Sequence, residues 1–336
     1  MSASHLRRPM SRFAYLGWVG LFLFILFGII TGLYLATRQI DYVWRWYSVP
    51  QYFANHEVFD VKCTVQGEVA SVTRQGEGIT IAVTSPDGDE TYTAPNVDEI
   101  RVDTGDTVYP GDTLVSYREW RAGILTQGMW ITLKVSIYSI IFGIIIGLVG
   151  GIARLSDNPA LKWSAITYVE IIRGSPLLVQ IFIWYFVLAT LINQLMLKWG
   201  MHEISAVWYG IASLACFTGA YVTEIVRAGI QSIHKGQTEA SRSLGMTYAQ
   251  SMTHVILPQA LRRILPPLAG QFISLIKDSS LLGIIAVREL TKATREAITV
   301  SLQPYEFWFM CAGLYLILTF ALSMFVQHLE RRLAIK

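Results

Sequence analysis

Residues Ala14–Ala36 read AYLGWVGLFLFILFGIITGLYLA, 23 residues without one charged side chain. Few folds accommodate such a run. At about 1.5 Å per residue a helix over it reaches roughly 34 Å, enough to cross a hydrocarbon core of about 30 Å. A cleaved leader carries a shorter apolar region, about 7–15 residues, and a small-residue cleavage site, so this run reads as a retained anchor. Composition agrees: 53% of the 336 residues are hydrophobic and 15% charged, against about 25% charged in an ordinary soluble domain. Ten Trp and sixteen Tyr suit the interfacial belts of a bilayer. Further spans fall near Leu125–Ala153, Ala165–Leu191, Ala206–Ile225, Leu265–Val287 and Phe307–Val326, for six crossings, with Lys277 and Asp278 interrupting the fifth.

Charge divides the chain into two compartments. Between His56 and Trp120 thirteen Asp/Glu face four Lys/Arg, a formal −9, so the overall +3 leaves +12 for the remainder. The same segment alternates β-branched or aromatic residues with polar ones in EVASVT, GITIAVT and TYTA, and Pro86–Glu90 (PDGDE) is a turn cluster. These patterns predict a small β domain, a barrel or sandwich. VDTGDTVYPGDTLV (Val102–Val115) resembles half of a biotinyl/lipoyl-like sandwich, but no Met-Lys-Met attachment tip is present, which favours a spacer or docking domain over a carrier. Arg7, Arg8 and Arg12 ahead of the first span place the N-terminus in the cytoplasm. The acidic domain is then outside, and six crossings return the C-terminus, with Arg331, Arg332 and Lys336, to the cytoplasm. Cys216 and Cys311 fall in apolar spans and Cys63 in the polar segment, without disulfide or metal-ligand spacing.

Residues 236–263, GQTEASRSLGMTYAQSMTHVILPQALRR, look like a helix–turn–helix. Gly245 suits the left-handed turn that ends a first helix, and Thr247 with Gln250 fits a capping box at the start of a second. Leu257–Pro258 is expected to end that second helix, because proline disfavours helical geometry in the preceding residue. A DNA reader needs clustered cations on one face, yet Arg242 and His254 are the only basic side chains from Gly236 to Leu257. Nucleic acid is therefore rejected as a partner.

Glu239-Ala240-Ser241, then Gly245 six residues after the Glu, then Val255-Ile256-Leu257-Pro258, resembles the cytoplasmic EAA loop of ABC importer permeases. The family pattern is Glu-Ala-Ala, three residues, Gly, nine residues, Ile-x-Leu-Pro; Ser241 and Val255 are small departures. YVEIIRGSPLLVQIFIWYF (Tyr168–Phe186), AYVTEIVRAGIQSI (Ala220–Ile233) and FISLIKDSSLLGIIAVREL (Phe272–Leu290) are similar to the polar-amino-acid, histidine/glutamine-type, permeases. The resemblance covers roughly residues 124–327. It implies that Glu239, Ala240, Ser241, Gly245, Leu257 and Pro258 belong to a coupling helix seated in a cytoplasmic ATPase. The chain has no Gly-x-x-x-x-Gly-Lys-Ser/Thr phosphate loop, so ATP-Mg is expected on that partner and no cofactor on this chain.

Other residues carry two readings each. Glu170 with Arg173, and Glu224 with Arg227, lie three apart and can share a helix face; they are structural ion pairs at the cytoplasmic ends of spans, or a gate. Lys277, Asp278, Ser279 and Ser280 either line a path for a zwitterionic substrate or form a Lys–Asp structural pair, and Gln180 and Thr218 are further path candidates. Gly143, Gly147 and Gly151 recur every four residues and predict close helix packing. The six scattered His include no His-Glu-x-x-His, and no Gly-x-Ser-x-Gly occurs, so neither a catalytic constellation nor a metal site is expected.

The expected fold is mainly α: a polytopic membrane protein of about six transmembrane helices, with a type I ABC importer permease-like core and a small β-rich extracytoplasmic domain inserted after the first helix. Its parts are a cytoplasmic N-terminus (1–13), an anchor helix (14–36), the β domain (56–120), the permease domain (124–327, coupling loop 236–258) and a cytoplasmic C-terminus (328–336). The expected role is the inner-membrane permease subunit of an importer for polar amino acids. Its implied partners are an ABC ATPase dimer, a second permease chain, a periplasmic amino-acid-binding protein and membrane lipid. An ion-coupled secondary transporter would carry internal repeats, which are not evident, and a membrane-anchored sensor leaves the EAA spacing unexplained.

Overall fold

The computed structural model describes residues 12–86 and 88–334. Arg7, Arg8, Lys336 and the turn residue Asp87 lie outside the described residues, as do the side chains of Arg12, Arg331 and Arg332. Six of the described helices are long and apolar enough to cross a membrane: Tyr15–Gln39, Ile124–Arg154, Leu177–Lys198, Ala206–Gln231, Tyr248–Ile285 and Pro304–His328. The chain divides into two compact units, the first ending at Tyr47 and the second beginning at Ser48.

In the first unit α1 (Arg12–Gln39) carries apolar side chains around its circumference, as suits a helix surrounded by lipid. Its end is closed by polar and aromatic contacts: Trp44 Nε1 donates to Thr37 Oγ1 at 3.2 Å, and the Trp44 and Trp46 rings stack at 5.7 Å.

The second unit opens with seven antiparallel strands in two sheets. β1 (Ala54–Lys62), β7 (Thr113–Ala122) and β5 (Glu99–Ile100) form one, in the order β1-β7-β5. The other runs β4-β3-β2-β6, from β2 (Gly67–Gln75), β3 (Gly78–Thr84), β4 (Glu90–Ala94) and β6 (Thr107–Val108). The alternation seen in the sequence buries Ile79, Ile81 and Val83 of β3 in one core with Val69, Val108, Leu114 and Val115. The two Gly-Asp pairs, Gly105-Asp106 and Gly111-Asp112, make turns with the glycines at positive φ. Asp106 accepts from the Asp103 amide at 2.7 Å and Asp112 from the Tyr109 amide at 2.9 Å. Hydrogen bonds from Thr64 and then Tyr92 hold the Glu90 carboxyl below the usual range. β1 and β7 leave this core as a two-stranded ribbon whose end is tied to the next helix, with Gly123 N and Thr126 Oγ1 both donating to Phe53 O at 2.7 Å.

The helical core is organised by α2 (Ile124–Arg154) and α6 (Ala206–Gln231). A Cβ added at Gly143 would lie 2.9 Å from Thr218, at Gly147 2.4 Å from Val222, and at Gly151 2.6 Å from Val226. Both series advance by four residues, so the helices run in the same direction and meet along one seam. Gly219 returns the arrangement, approaching Ile146 so closely that its Cβ would lie at 2.7 Å. Without side chains at these points the backbones approach to dispersion range, the association that remains when no water is expelled. α3 (Pro159–Gly174) closes one side of this pair, its Tyr168 hydroxyl donating to Cys216 O at 2.5 Å.

Two predicted boundaries are corrected. The span expected over Ala165–Leu191 is broken: α3 ends at Gly174, Ser175 is extended (φ −112°, ψ 147°), and α4 (Leu177–Phe182) begins after Pro176. Proline has no amide to continue the ladder and pushes its predecessor out of the helical region. A π-helical turn, Ile183–Ala189, then leads into α5 (Thr190–Lys198). The helix expected to stop at Leu257–Pro258 instead continues. α8 (Tyr248–Ser251) passes through a π-helical turn, Met252–Ile256, into α9 (Leu257–Asp278), with Leu257 helical at φ −62°. The Leu257 amide reaches back to Met252 O, and the one-residue-wider turn shifts the register that Pro258 would otherwise break.

After α9 the chain tightens into a 3₁₀ segment, Ser279–Ile285, and then forms α10 (Leu290–Ser301) and α11 (Pro304–Ala334). Glu289, fully buried, caps α10: its carboxylate accepts from the Thr291 amide at 2.7 Å, the Lys292 amide at 2.8 Å and the Tyr315 hydroxyl at 2.9 Å.

Gly147→Ala is expected to lower stability and Gly147→Leu to lower it further, by about 1–3 kcal/mol for the larger side chain. Thermal unfolding of the detergent-extracted protein checks this; equal melting of the wild type and the Leu variant would remove the seam as a stability determinant.

Candidate functional site

The site begins where α6 leaves the bundle. α7 (Lys235–Ser243) is capped by His234, whose Nδ1 accepts from the Gly236 amide at 3.1 Å. The helix winds down through Leu244 N to Ala240 O (3.2 Å), Gly245 N to Arg242 O (3.0 Å) and Met246 N to Ser241 O (3.2 Å). Gly245 sits at φ +84°, the left-handed region that costs other L residues about 1–2 kcal/mol. The space around its Cβ position is empty within 4 Å. Gly245 is therefore required by the turn, and no close approach within this chain adds to that. α8 restarts with the expected capping box, Gln250 N donating to Thr247 Oγ1 at 3.3 Å and Thr247 N to Gln250 Oε1 at 2.8 Å.

Ser241, the departure from Ala in the quoted pattern, has a structural account. Its hydroxyl donates to Thr238 O at 2.8 Å and meets the Ser251 hydroxyl, with both side chains buried. This contact clips α7 to α8. Beneath it, Val222, Val226, Ile233, Ile256, Ala260 and Ile264 form one apolar cluster joining the hairpin to α6 and α9. Arg263 Nη1 adds a bond to Ser232 O at 2.5 Å. The outer surface is different: Glu239 and Ala240 are exposed, as are two large apolar side chains, Leu244 at 83% and Tyr248 at 62%. The hairpin is thus packed against α6 and α9 underneath, with an acid and two apolar side chains turned outward. Leu257 and Pro258 are also exposed, at the wide turn.

The structure separates the two expected ion pairs. Glu224 binds Arg227, and across the seam it also binds Arg154 of α2. This three-residue cluster joins the ends of both seam helices. Arg154 escaped the sequence reading because its partner is 70 residues away. Glu170 and Arg173 do not pair among the described residues; both are exposed, and the Arg173 guanidinium lies over the Tyr221 ring at 5.1 Å.

The other polar candidates are dispersed. Lys277 and Asp278 form no ion pair within 4 Å of each other among the described residues. They end α9 where it turns 3₁₀, with Lys277 exposed, Asp278 and Ser280 partly so, and Ser279 buried and donating to Ile276 O at 2.7 Å. Gln180 lies at the break before α4. Its Nε2 donates to Ile172 O at 2.7 Å and to Ser175 O at 3.2 Å, supplying donors to carbonyls near the proline interruption. Thr218 is buried in the α2–α6 seam against Gly143. Glu289, with Tyr315 and Thr132, whose Oγ1 accepts from the Leu290 amide at 3.0 Å, is a buried polar cluster the sequence reading missed. The local signal was weak, because Ser, Thr, Asp and Asn are the usual N-cap residues and Glu is favoured inside the first turn.

Ser241→Ala is expected to lower the opening free energy of the hairpin by about 1 kcal/mol, and Gly245→Ala by about 1–2 kcal/mol. Both are read as faster amide hydrogen exchange across residues 235–243 with the spanning helices unchanged.

Residues 139–335 match the family model described as binding-protein-dependent transport system inner membrane component. The chain is 38% identical over 212 residues to the glutamine transport system permease protein of Escherichia coli (strain K12), covering 63% of this chain and 94% of that one. It is 40% identical over 229 residues to the L-cystine transport system permease protein of Bacillus subtilis (strain 168), covering 68% and 92%. It also resembles a solved amino acid ABC transporter crystallised with histidines, at 36% identity and a TM-score of 0.55, covering 62% of this chain and 94% of that chain. α1 and the strands lie before the stretch matched by the family model.

Proposed function

Because the chain belongs to the family of binding-protein-dependent transport system inner membrane components, we propose that it is the membrane-spanning permease subunit of an ATP-binding-cassette importer for polar amino acids. The observation that carries this is the hairpin from Lys235 to Tyr248: rigid beneath, exposed at Glu239, Leu244 and Tyr248, and rooted in both α6 and α9. ATP and Mg²⁺ act on a separate cytoplasmic ATPase dimer whose cleft receives this hairpin. Glu239 supplies a charge-assisted contact there, and the outward apolar side chains supply buried area. A second permease chain, identical or related, completes the path, and a periplasmic binding protein delivers the substrate.

In this mechanism ATPase closure pulls the hairpins together. The apolar cluster of Val222, Val226, Ile256 and Ile264 carries that displacement into α6 and α9, because a close-packed interior transmits strain and does not absorb it. The Arg154–Glu224–Arg227 cluster moves with the seam helices as one body. Lys277, Asp278 and Ser280, at the change from α to 3₁₀ geometry, present both charge signs and a hydroxyl to the carboxylate and ammonium of the passing amino acid, with the buried Ser279 bracing the turn between them. Gln180, Thr218, Glu170 and Arg173 stand behind this path as supports of the surrounding helices. The hairpin is cytoplasmic, both termini share that side, and the acidic β domain is periplasmic, where it offers a docking surface for the binding protein.

Reconstitution with the ATPase and binding protein tests the function directly. ATP-dependent uptake of labelled glutamine, histidine, arginine or cystine is expected; uptake driven by an ion gradient without the ATPase would replace this reading with a secondary transporter. Glu239→Lys is expected to weaken ATPase association roughly tenfold or more, and Gly245→Asp to uncouple hydrolysis from uptake, with both variants inserted in the membrane. Normal binding-protein-stimulated ATPase and uptake in both variants would sink the coupling assignment. Replacing residues 57–120 by a short linker is expected to weaken binding-protein stimulation; unchanged stimulation would make the β domain a spacer.

A further inference from the structure

Between the ends of α2 and α6 and the start of α3 lies a cavity of about 580 Å³. Three cations line it, Arg154, Lys162 and Arg227, together with Asp157, Trp163 and Ile166. Arg154 and Arg227 both bind Glu224, so three positive charges meet two carboxylates and the balance at the cavity is positive. Arg154 commits one of its five N–H donors, through Nη1, to Glu224. Lys162 is exposed and has no carboxylate within 4 Å among the described residues. The N-terminal end of the 16-residue α3, at Pro159, forms another edge and adds the positive end of a helix dipole.

Apolar side chains are exposed on the helices that carry these residues. Trp163 is 66% exposed, the exposure expected of a ring lodged at headgroup level. Ile152 is 65% exposed and begins a lane of exposed side chains along α2, continued by Leu148, Ile145 and Ile141 at three- and four-residue spacing. A polar cavity with cations, a helix N-terminus and an exposed Trp, at the end of a spanning helix that carries a lane of exposed apolar side chains, matches an amphiphile with an anionic head. A free phosphate would use the cations and leave the lane without a purpose.

We infer that this cavity is a binding site for the headgroup phosphate of an anionic phospholipid, with its acyl chain lying along the Ile152–Ile141 face of α2. The site depends on membrane insertion and not on which solute is carried, so it stands or falls separately from the transport assignment. By holding Arg154 and Arg227 from the open side, the bound phosphate would brace the ion cluster that joins the two seam helices.

The test uses the full-length protein in nanodiscs of phosphatidylglycerol and phosphatidylethanolamine in equal amounts, released for native mass spectrometry. The wild type is expected to retain one phosphatidylglycerol per chain. Lys162→Gln should weaken retention roughly fivefold and Lys162→Glu about 25-fold, with Lys162→Arg restoring it. Lys162 is exposed and forms no ion pair among the described residues, so these changes remove none of the ion pairs described here. Arg262→Glu, another exposed cation on α9, should leave retention unchanged. Equal retention by the wild type and Lys162→Glu would overturn the site. An equal loss in Arg262→Glu would reduce it to general surface charge. Displacement by inorganic phosphate as effective as by short-chain phosphatidylglycerol would make it a free-anion site and remove the lipid assignment.

Discussion

The helical unit depends on the seam where α2 and α6 run side by side. Gly143, Gly147 and Gly151 remove the side chains that would hold the backbones apart, and Thr218, Val222 and Val226 fill the space they leave. Lipid offers no hydrophobic drive for helices to associate, so close packing and a few polar contacts must hold them. The seam supplies both, since Arg154 and Arg227 meet over Glu224 at its end. α3 and the hairpin are then arranged around this pair.

Interruptions in the helices do the rest of the shaping. Pro176 breaks the ladder completely, and the nearby carbonyls of Ile172 and Ser175 receive the Gln180 amide. Pro258 does not break it, because a π-helical turn shifts the register first. The same residue type therefore gives opposite outcomes, set by whether the preceding turn can widen. That second outcome makes the hairpin continuous with α9, within one of the six long apolar helices.

The β-rich segment follows different rules. Its seven strands close a core of their own around Ile79, Ile81, Val83 and Leu114, and its turns are fastened by Asp106 and Asp112. It connects to the helical core through a two-stranded ribbon and the Phe53 carbonyl, which receives both Gly123 N and Thr126 Oγ1. Its excess of carboxylates, thirteen against four Lys/Arg, lies in this segment, and most of the chain's 27 Lys/Arg lie elsewhere, a separation that no average over the whole chain reveals.

Much was legible without coordinates, because a bilayer and a strand core impose strict local rules. Length and absence of charge gave the number of long apolar helices but misplaced the third, which starts only after Pro176. Period-two alternation identified β2, β3 and β4, and Gly245 with Thr247 and Gln250 identified the turn and capping box. Features that depend on meeting distant residues were not legible. The Arg154–Glu224 contact joins residues 70 apart, and Arg173 turned to an aromatic ring and left Glu170 without it. The Ser241–Ser251 clip, the continuation through Pro258 and the charged cavity beside α3 were decided in the same way. Local sequence limits backbone geometry and which side chains lipid tolerates, whereas pairing of charges and hydroxyls depends on which helices are brought together. Here that choice was made by glycines whose spacing was plain in the sequence and whose partners were not.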